Sequence, residues 1–289
     1  MLGTVPALVS DAQARGVPPE ARWAGSTAET MGAPDESERD TTTGGGTTVE
    51  AATVAEGADT TGAAPEADDT PAEDPAAVKQ PLTKVLLLGD SLIATGFGVR
   101  LESLLDKTPG VVAYRKGKSA SGLARPDFFD WMREAQHQIA AREPDVVIIL
   151  MGGNDGQDLT STGKSKRRVR WKSDAWNDAY AGRVNELLAR TWAPGRTIIW
   201  LGLPKMGLGS LERKLALIRT IQQSRVKTRP GAVYMETTPH LLNSDGELKV
   251  YGIVRGKRKT LRADDGIHFT MAGSDYLADA ILEDVLRSF

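Results

Sequence analysis

The feature that most constrains the fold is the stretch Lys84–Leu92, KVLLLGDSL. Val85-Leu86-Leu87-Leu88 is an unbroken apolar run that stops at Gly89. So short a run, without alternation, reads as a strand buried on both faces, the kind found in parallel sheets. Helix-compatible sequence follows it. Ser91 therefore falls where a central strand ends and a helix begins, and open α/β sheets build their sites outside the carboxyl ends of their strands. A serine there is either a nucleophile or the N-cap of the next helix. From this stretch alone both readings stand.

Composition divides the chain before that strand. Residues 1–80 contain 15 acidic and four basic residues, a net −11, and a single aromatic, Trp23. Residues 81–289 carry the balance, +9, within a total of −2. Low hydrophobicity with high net charge cannot offset the entropy of ordering a chain, so 1–80 is expected to be a disordered acidic tail and linker. TTTGGGTT (Thr41–Thr48) and the Pro/Glu/Asp-rich stretch after it suit a solvated spacer. The N-terminus lacks a basic segment, but the apolar run Leu2–Val9 precedes Ala12-Gln13-Ala14, which has the form of a cleavage site. Two readings stay open: a plain disordered start in a cytoplasmic protein, or a truncated signal peptide on an exported one. The absence of cysteine excludes disulfides, thiolate metal sites and a cysteine nucleophile. No apolar stretch approaches the ~18–20 residues that span a bilayer.

From residue 81 onward, β-rich apolar runs alternate with amphipathic ones. Strands are predicted at Lys84–Leu88, Val111–Arg115, Asp145–Met151, Thr197–Leu201 and Ala232–Met235. Helices are predicted near Phe97–Leu105, Pro126–Arg142, Ser173–Thr191, Leu211–Lys227 and Thr270–Arg287, with Pro126 and Asp127 suited to a first helical turn. This alternation predicts an α/β sandwich around a five-stranded, mostly parallel sheet over residues 81–289. Two long stretches interrupt it. Gly156–Lys172 reads as a basic loop, and Asn243–Arg262 as a hairpin turning at Ser244-Asp245-Gly246.

A serine nucleophile needs a base. His137 lies inside a predicted helix and reads as a surface residue, whereas His240 follows the fifth strand and can reach its rim. His268 stands three residues after Asp265, across Gly266, a spacing that can turn the carboxylate back onto the imidazole. Asp264 competes with Asp265 for that place, and a plain helix-entry role for His268 remains the alternative. Acyl transfer also needs donors for an oxyanion. Met151-Gly152-Gly153-Asn154-Asp155 ends the third strand and offers the Asn154 amide, unless it is only a tight turn. Ser119-Ala120-Ser121-Gly122-Leu123 follows the second strand and offers a glycine N–H, from Gly122 or from Gly117.

Gly89-Asp90-Ser91-Leu92, Gly122, Gly152-Gly153-Asn154-Asp155 and Asp265-Gly266-Ile267-His268 occur in the order of the blocks of the SGNH/GDSL hydrolase superfamily, which the chain resembles from about Lys84 to Phe289. ARPDFFDW (Ala124–Trp131) and Gly152–Gln157 are further marks of a little-characterised bacterial branch. The resemblance implies a flavodoxin-like three-layer α/β/α sandwich. It implies Ser91 as nucleophile, His268 as general base and Asp265 as its orienting acid. The Ser91 N–H, the Gly122 N–H and the Asn154 side chain would form the oxyanion hole. Asp90 and Asp155 are expected to shape turns. The implied activity is ester hydrolysis, on small acyl esters of a small molecule or of a carbohydrate or cell-envelope polymer. O-acyl transfer with the same residues, and a non-catalytic binding module, are the alternatives. No metal or other cofactor is implied. The basic segments Lys164–Lys172 and Arg255–Arg262 either attract an anionic substrate or are solvated loops, and no nucleic-acid motif accompanies them.

Overall fold

The structure, a computed structural model, describes residues 81–162 and 167–289. The acidic segment 1–80 and the tip of the first basic loop lie outside the described residues. Five strands, β1 (Thr83–Gly89), β2 (Val111–Gly117), β3 (Val146–Leu150), β4 (Thr197–Leu201) and β5 (Ala232–Met235), form one sheet in the order β2-β1-β3-β4-β5. Every pairing in it is parallel. Between the strands run α1 (Ser91–Ala94), α2 (Gly96–Asp106), α3 (Trp131–Arg142), α4 (Asp174–Thr191) and α5 (Gly209–Lys227), and α6 (Met271–Leu286) closes the chain. Helix α2 packs with α6, and α3, α4 and α5 pack in succession, giving the three-layer α/β/α sandwich that the alternation predicts.

The apolar runs become the core. Val85–Leu88 and Val146–Leu150 are buried, as continuous hydrophobic strands covered on both faces must be. Trp131, Trp176, Tyr180 and Trp200 fill the space around the sheet, with Trp176 stacked on Tyr180. Register then fixes the site: Gly89 pairs with Gly117 on one side and with Leu150 on the other. The first three strands therefore end on one rim. Strand order reverses at β1, between β2 and β3, which is where open α/β sheets leave a crevice.

Two local expectations change. Helix α3 starts at Trp131, not at Pro126, because the Asp130 carboxylate accepts the Met132 and Arg133 N–H groups and caps it there. Pro126 and Asp127 instead sit in a turn held by the Arg125–Asp127 ion pair. In 243–262 the chain turns twice. Ser244-Asp245-Gly246 closes only a small loop, bridged at Leu242 and Leu248. The hairpin proper pairs β6 (Tyr251–Val254) with β7 (Lys257–Thr260) and turns at Arg255 and Gly256, both of which have positive φ. No helix among the described residues is long and apolar enough to cross a membrane.

Candidate active site

The end of β1 is organised by a buried carboxylate. Asp90 is 1% exposed, and one oxygen accepts the Leu92 N–H while the other accepts those of Gly152 and Gly153. Asp90 is thus the N-cap of α1 and ties it to the turn after β3. With that role filled, Ser91 is the first helical residue and its hydroxyl is left for other use. Gly152 has φ +121, a conformation that other residues rarely adopt, and this lets its N–H face Asp90. Burial pushes the Asp90 carboxyl up to about 6, against the opposing pull of the backbone hydrogen bonds.

A second buried carboxylate does the same for the segment after β2. Asp155 accepts the Leu123 and Ala124 N–H groups at 3.0 and 2.8 Å and the Tyr180 hydroxyl at 2.8 Å. Its pKa, too, is raised by burial. Gly122 is a glycine because of this carboxylate: a Cβ there would lie 2.1 Å from Asp155 Oδ1. Both aspartates therefore shape turns. Beside them, Asn154 donates its side-chain amide to the Ser121 carbonyl at 2.9 Å, which fixes the amide plane at the rim.

Ser91 Oγ lies 2.9 Å from His268 Nε2, and His268 Nδ1 lies 2.7 Å from Asp265 Oδ2. The other Asp265 oxygen accepts the Ile267 and His268 N–H groups at 2.8 and 2.9 Å, across the positive-φ Gly266. Burial tends to raise the Asp265 carboxyl, but the hydrogen bonds from the imidazole and from these two N–H groups outweigh it and hold it down at about 2. An ionised carboxylate only accepts, so the proton sits on Nδ1 and the Nε2 lone pair faces Ser91. His240 sits in the 3₁₀ turn Thr238–Leu241 with its carbonyl bonded to Lys249, and His137 is exposed on α3. Of the three histidines, it is His268 that the fold brings to Ser91, and of the two neighbouring acids it is Asp265 that reaches the imidazole.

A family profile described as "Protein of unknown function (DUF459)" matches residues 84–284. The chain belongs to the DUF459 family. This DUF459 protein is also similar to solved structures. A catalytic mutant of an acetylxylan esterase from Geobacillus stearothermophilus is 18% identical, with TM-score 0.50, covering 72% of this chain and 96% of that one. A GDSL-like lipase from Bacteroides thetaiotaomicron is 16% identical, with TM-score 0.48, covering 72% and 89%. A carbohydrate esterase family 3 protein from Talaromyces cellulolyticus is 15% identical, with TM-score 0.45, covering 71% and 97%. No curated protein sequence matches. The likeness is one of fold, the three-layer α/β/α sandwich around a parallel sheet.

The DUF459 site opens into a cavity of about 370 Å³, where Ser91, Asn154 and His268 meet apolar side chains from the loop after β4 and the start of α5, chiefly Met206, Leu208 and Leu211. Sequence reasoning did not anticipate this wall, because its residues belong to no motif and reach the rim only through the loop's path. That path is braced by Glu212, which accepts the Met206 N–H and pairs with Arg219. Arg262, counted in sequence among basic loop residues, points inward instead. Its guanidinium donates to the Lys205 and Ile267 carbonyls at 2.5 and 2.6 Å and lies over the Phe269 ring. Burial lowers its pKa to about 10, and it works as a strut for the His268 loop. Among the described residues no group of three or more His, Asp or Glu side chains is placed to hold a metal ion.

Proposed function

We propose that this protein is a serine hydrolase of ester bonds, with Ser91 as nucleophile, His268 as general base and Asp265 as the acid that orients it. The observation that carries the reading is the continuous Ser91–His268–Asp265 hydrogen-bond chain, 2.9 and 2.7 Å, at the mouth of a cavity. In this mechanism Nε2 of His268 takes the Ser91 proton as Oγ attacks the ester carbonyl, and Asp265 stabilises the imidazolium. The tetrahedral oxyanion is held by the Ser91 N–H, the Gly122 N–H and the Asn154 amide. In support of that role, the Asn154 amide is already oriented by Ser121, and the Ser91 N–H, at the first helical position, has no intrahelical acceptor. The imidazolium then gives its proton to the leaving alkoxide. Water, deprotonated by the same Nε2, hydrolyses the acyl-enzyme and returns Ser91 to its hydroxyl form.

The substrates are small acyl esters, acetyl among them, borne on a carbohydrate or cell-envelope polymer. An open cavity of about 370 Å³ beside Ser91 suits such groups, and the similar acetylxylan esterase is named for an acetylated polysaccharide. Purified protein is expected to hydrolyse p-nitrophenyl acetate, with at least about 10³-fold loss in Ser91→Ala. Undiminished turnover by the variant would sink the assignment.

A further inference from the structure

Among the described residues that line the cavity, Lys214 is a cation with no ion-pair partner. It lies on α5 and lines the same cavity as Ser91 and Asn154. Its stem is seated: a Cβ at the buried Gly156 would fall 2.7 Å from Lys214 Cδ and 2.9 Å from its Cβ. Gly156 is not among the positive-φ glycines, so its backbone does not require glycine, and the missing side chain makes room for the lysine. The nearby acids are committed elsewhere. Asp90 holds backbone N–H groups, Asp265 holds His268, and Glu212 holds Arg219 and the Met206 N–H. Among the described residues no carboxylate pairs with the Lys214 ammonium. Lys214 is exposed at the cavity wall and its local anions are spent, so it is poised to meet an anion brought by the substrate.

We propose that Lys214 is a specificity-determining residue, and that the preferred substrates are esters carrying a carboxylate or other anionic group a few bonds from the scissile carbonyl. The proposal rests on the reading of Ser91 as nucleophile and narrows its substrate class. The anion sits in either half of the ester, and the shared chemistry is the charge.

The test uses matched ester pairs on full-length protein. 4-Acetoxybenzoate against 4-acetoxybenzamide places the charge on the alcohol side. Mono-4-nitrophenyl succinate against 4-nitrophenyl methyl succinate places it on the acyl side. In at least one pair the anionic ester is expected to have the higher kcat/KM, by on the order of tenfold, about the contribution of one charged hydrogen bond. Lys214→Met, which keeps the stem, removes the preference. Lys214→Arg keeps it and Lys214→Glu reverses it, while the neutral esters change little. Added salt should weaken the preference in the parent protein and in Lys214→Arg, and leave the ratios of Lys214→Met unchanged. Anionic-to-neutral ratios that are the same in all four proteins overturn the proposal. Calorimetric binding of 4-acetoxybenzoate to Ser91→Ala, with and without Lys214→Met, separates the two readings. Lys214-dependent binding in a protein that turns over no ester overturns the nucleophile and keeps the subsite. Turnover with Lys214-independent ratios and binding does the reverse.

Discussion

Asp90 and Asp265 sit on the same rim of the sheet and have the same side chain, and both accept backbone N–H groups. Asp90 accepts three, from Leu92, Gly152 and Gly153; Asp265 accepts two, and a ring N–H besides. Their carboxyls are nevertheless pushed in opposite directions, to about 6 at Asp90 and to about 2 at Asp265. Solvent makes the difference. Asp90 is 1% exposed and near a second buried acid, Asp155, so desolvation wins over three hydrogen bonds. The Asp265 side chain is 45% exposed, and its partners win over a smaller desolvation. The buried pair is suited to holding backbone in place. The exposed one stays ionised through the working pH range and so can hold an imidazolium.

Matched substitutions should separate these roles. The largest effect is expected from Asp265→Asn. It should lower kcat on p-nitrophenyl acetate by roughly 10³-fold, since the amide favours the wrong imidazole tautomer. The urea midpoint should stay almost unchanged, because an exposed pair contributes little to stability. A large loss of stability without loss of specific activity would reverse the comparison. Next comes Asp155→Ala, which leaves the Leu123 and Ala124 N–H groups and the Tyr180 hydroxyl without their acceptor. Chemical denaturation should show a loss of about 3 kcal/mol or more. The smallest effect is a pH dependence. Because its folded pKa is raised from 3.8 to about 6, Asp90 binds its proton more tightly in the folded state, and its contribution to stability falls as pH rises across that window. The stability gap between the parent protein and Asp90→Asn should therefore narrow by about 1–3 kcal/mol from pH 4 to pH 6.5. Asp265, whose pKa is lowered, has the opposite sign: its smaller contribution is present above pH 3.8 and lost as pH falls toward 2. A gap that widens with rising pH contradicts the assignment at Asp90.

The same contrast explains what the sequence could disclose. Buried parallel strands announce themselves as short apolar runs, so all five strands and the rim on which they end were legible. Ser91, Asn154, Asp265 and His268 each follow a recognisable element end, and their convergence follows from strand order. Less legible were features that depend on which competitor wins locally. Asp130 rather than Asp127 starts α3, because its carboxylate reaches two N–H groups. Arg255-Gly256, rather than Ser244-Asp245-Gly246, turns the hairpin. The reason that residue 122 is glycine was also not legible: the Asp155 carboxylate leaves no room for a Cβ there. Arg262 and Lys214 show the limit most plainly. Both are basic residues without a motif, and only the path of the chain makes one a half-buried strut and the other a cation at the cavity wall.

The central claim is that Ser91, freed from capping by Asp90, is the nucleophile activated by His268. Its most direct test is incubation of the purified protein with a fluorophosphonate probe, followed by mass mapping of the adduct. Single-site labelling at Ser91, abolished by Ser91→Ala and strongly slowed by His268→Ala, is the predicted result. A folded protein that fails to label, or that labels at another serine with equal speed in both variants, contradicts it.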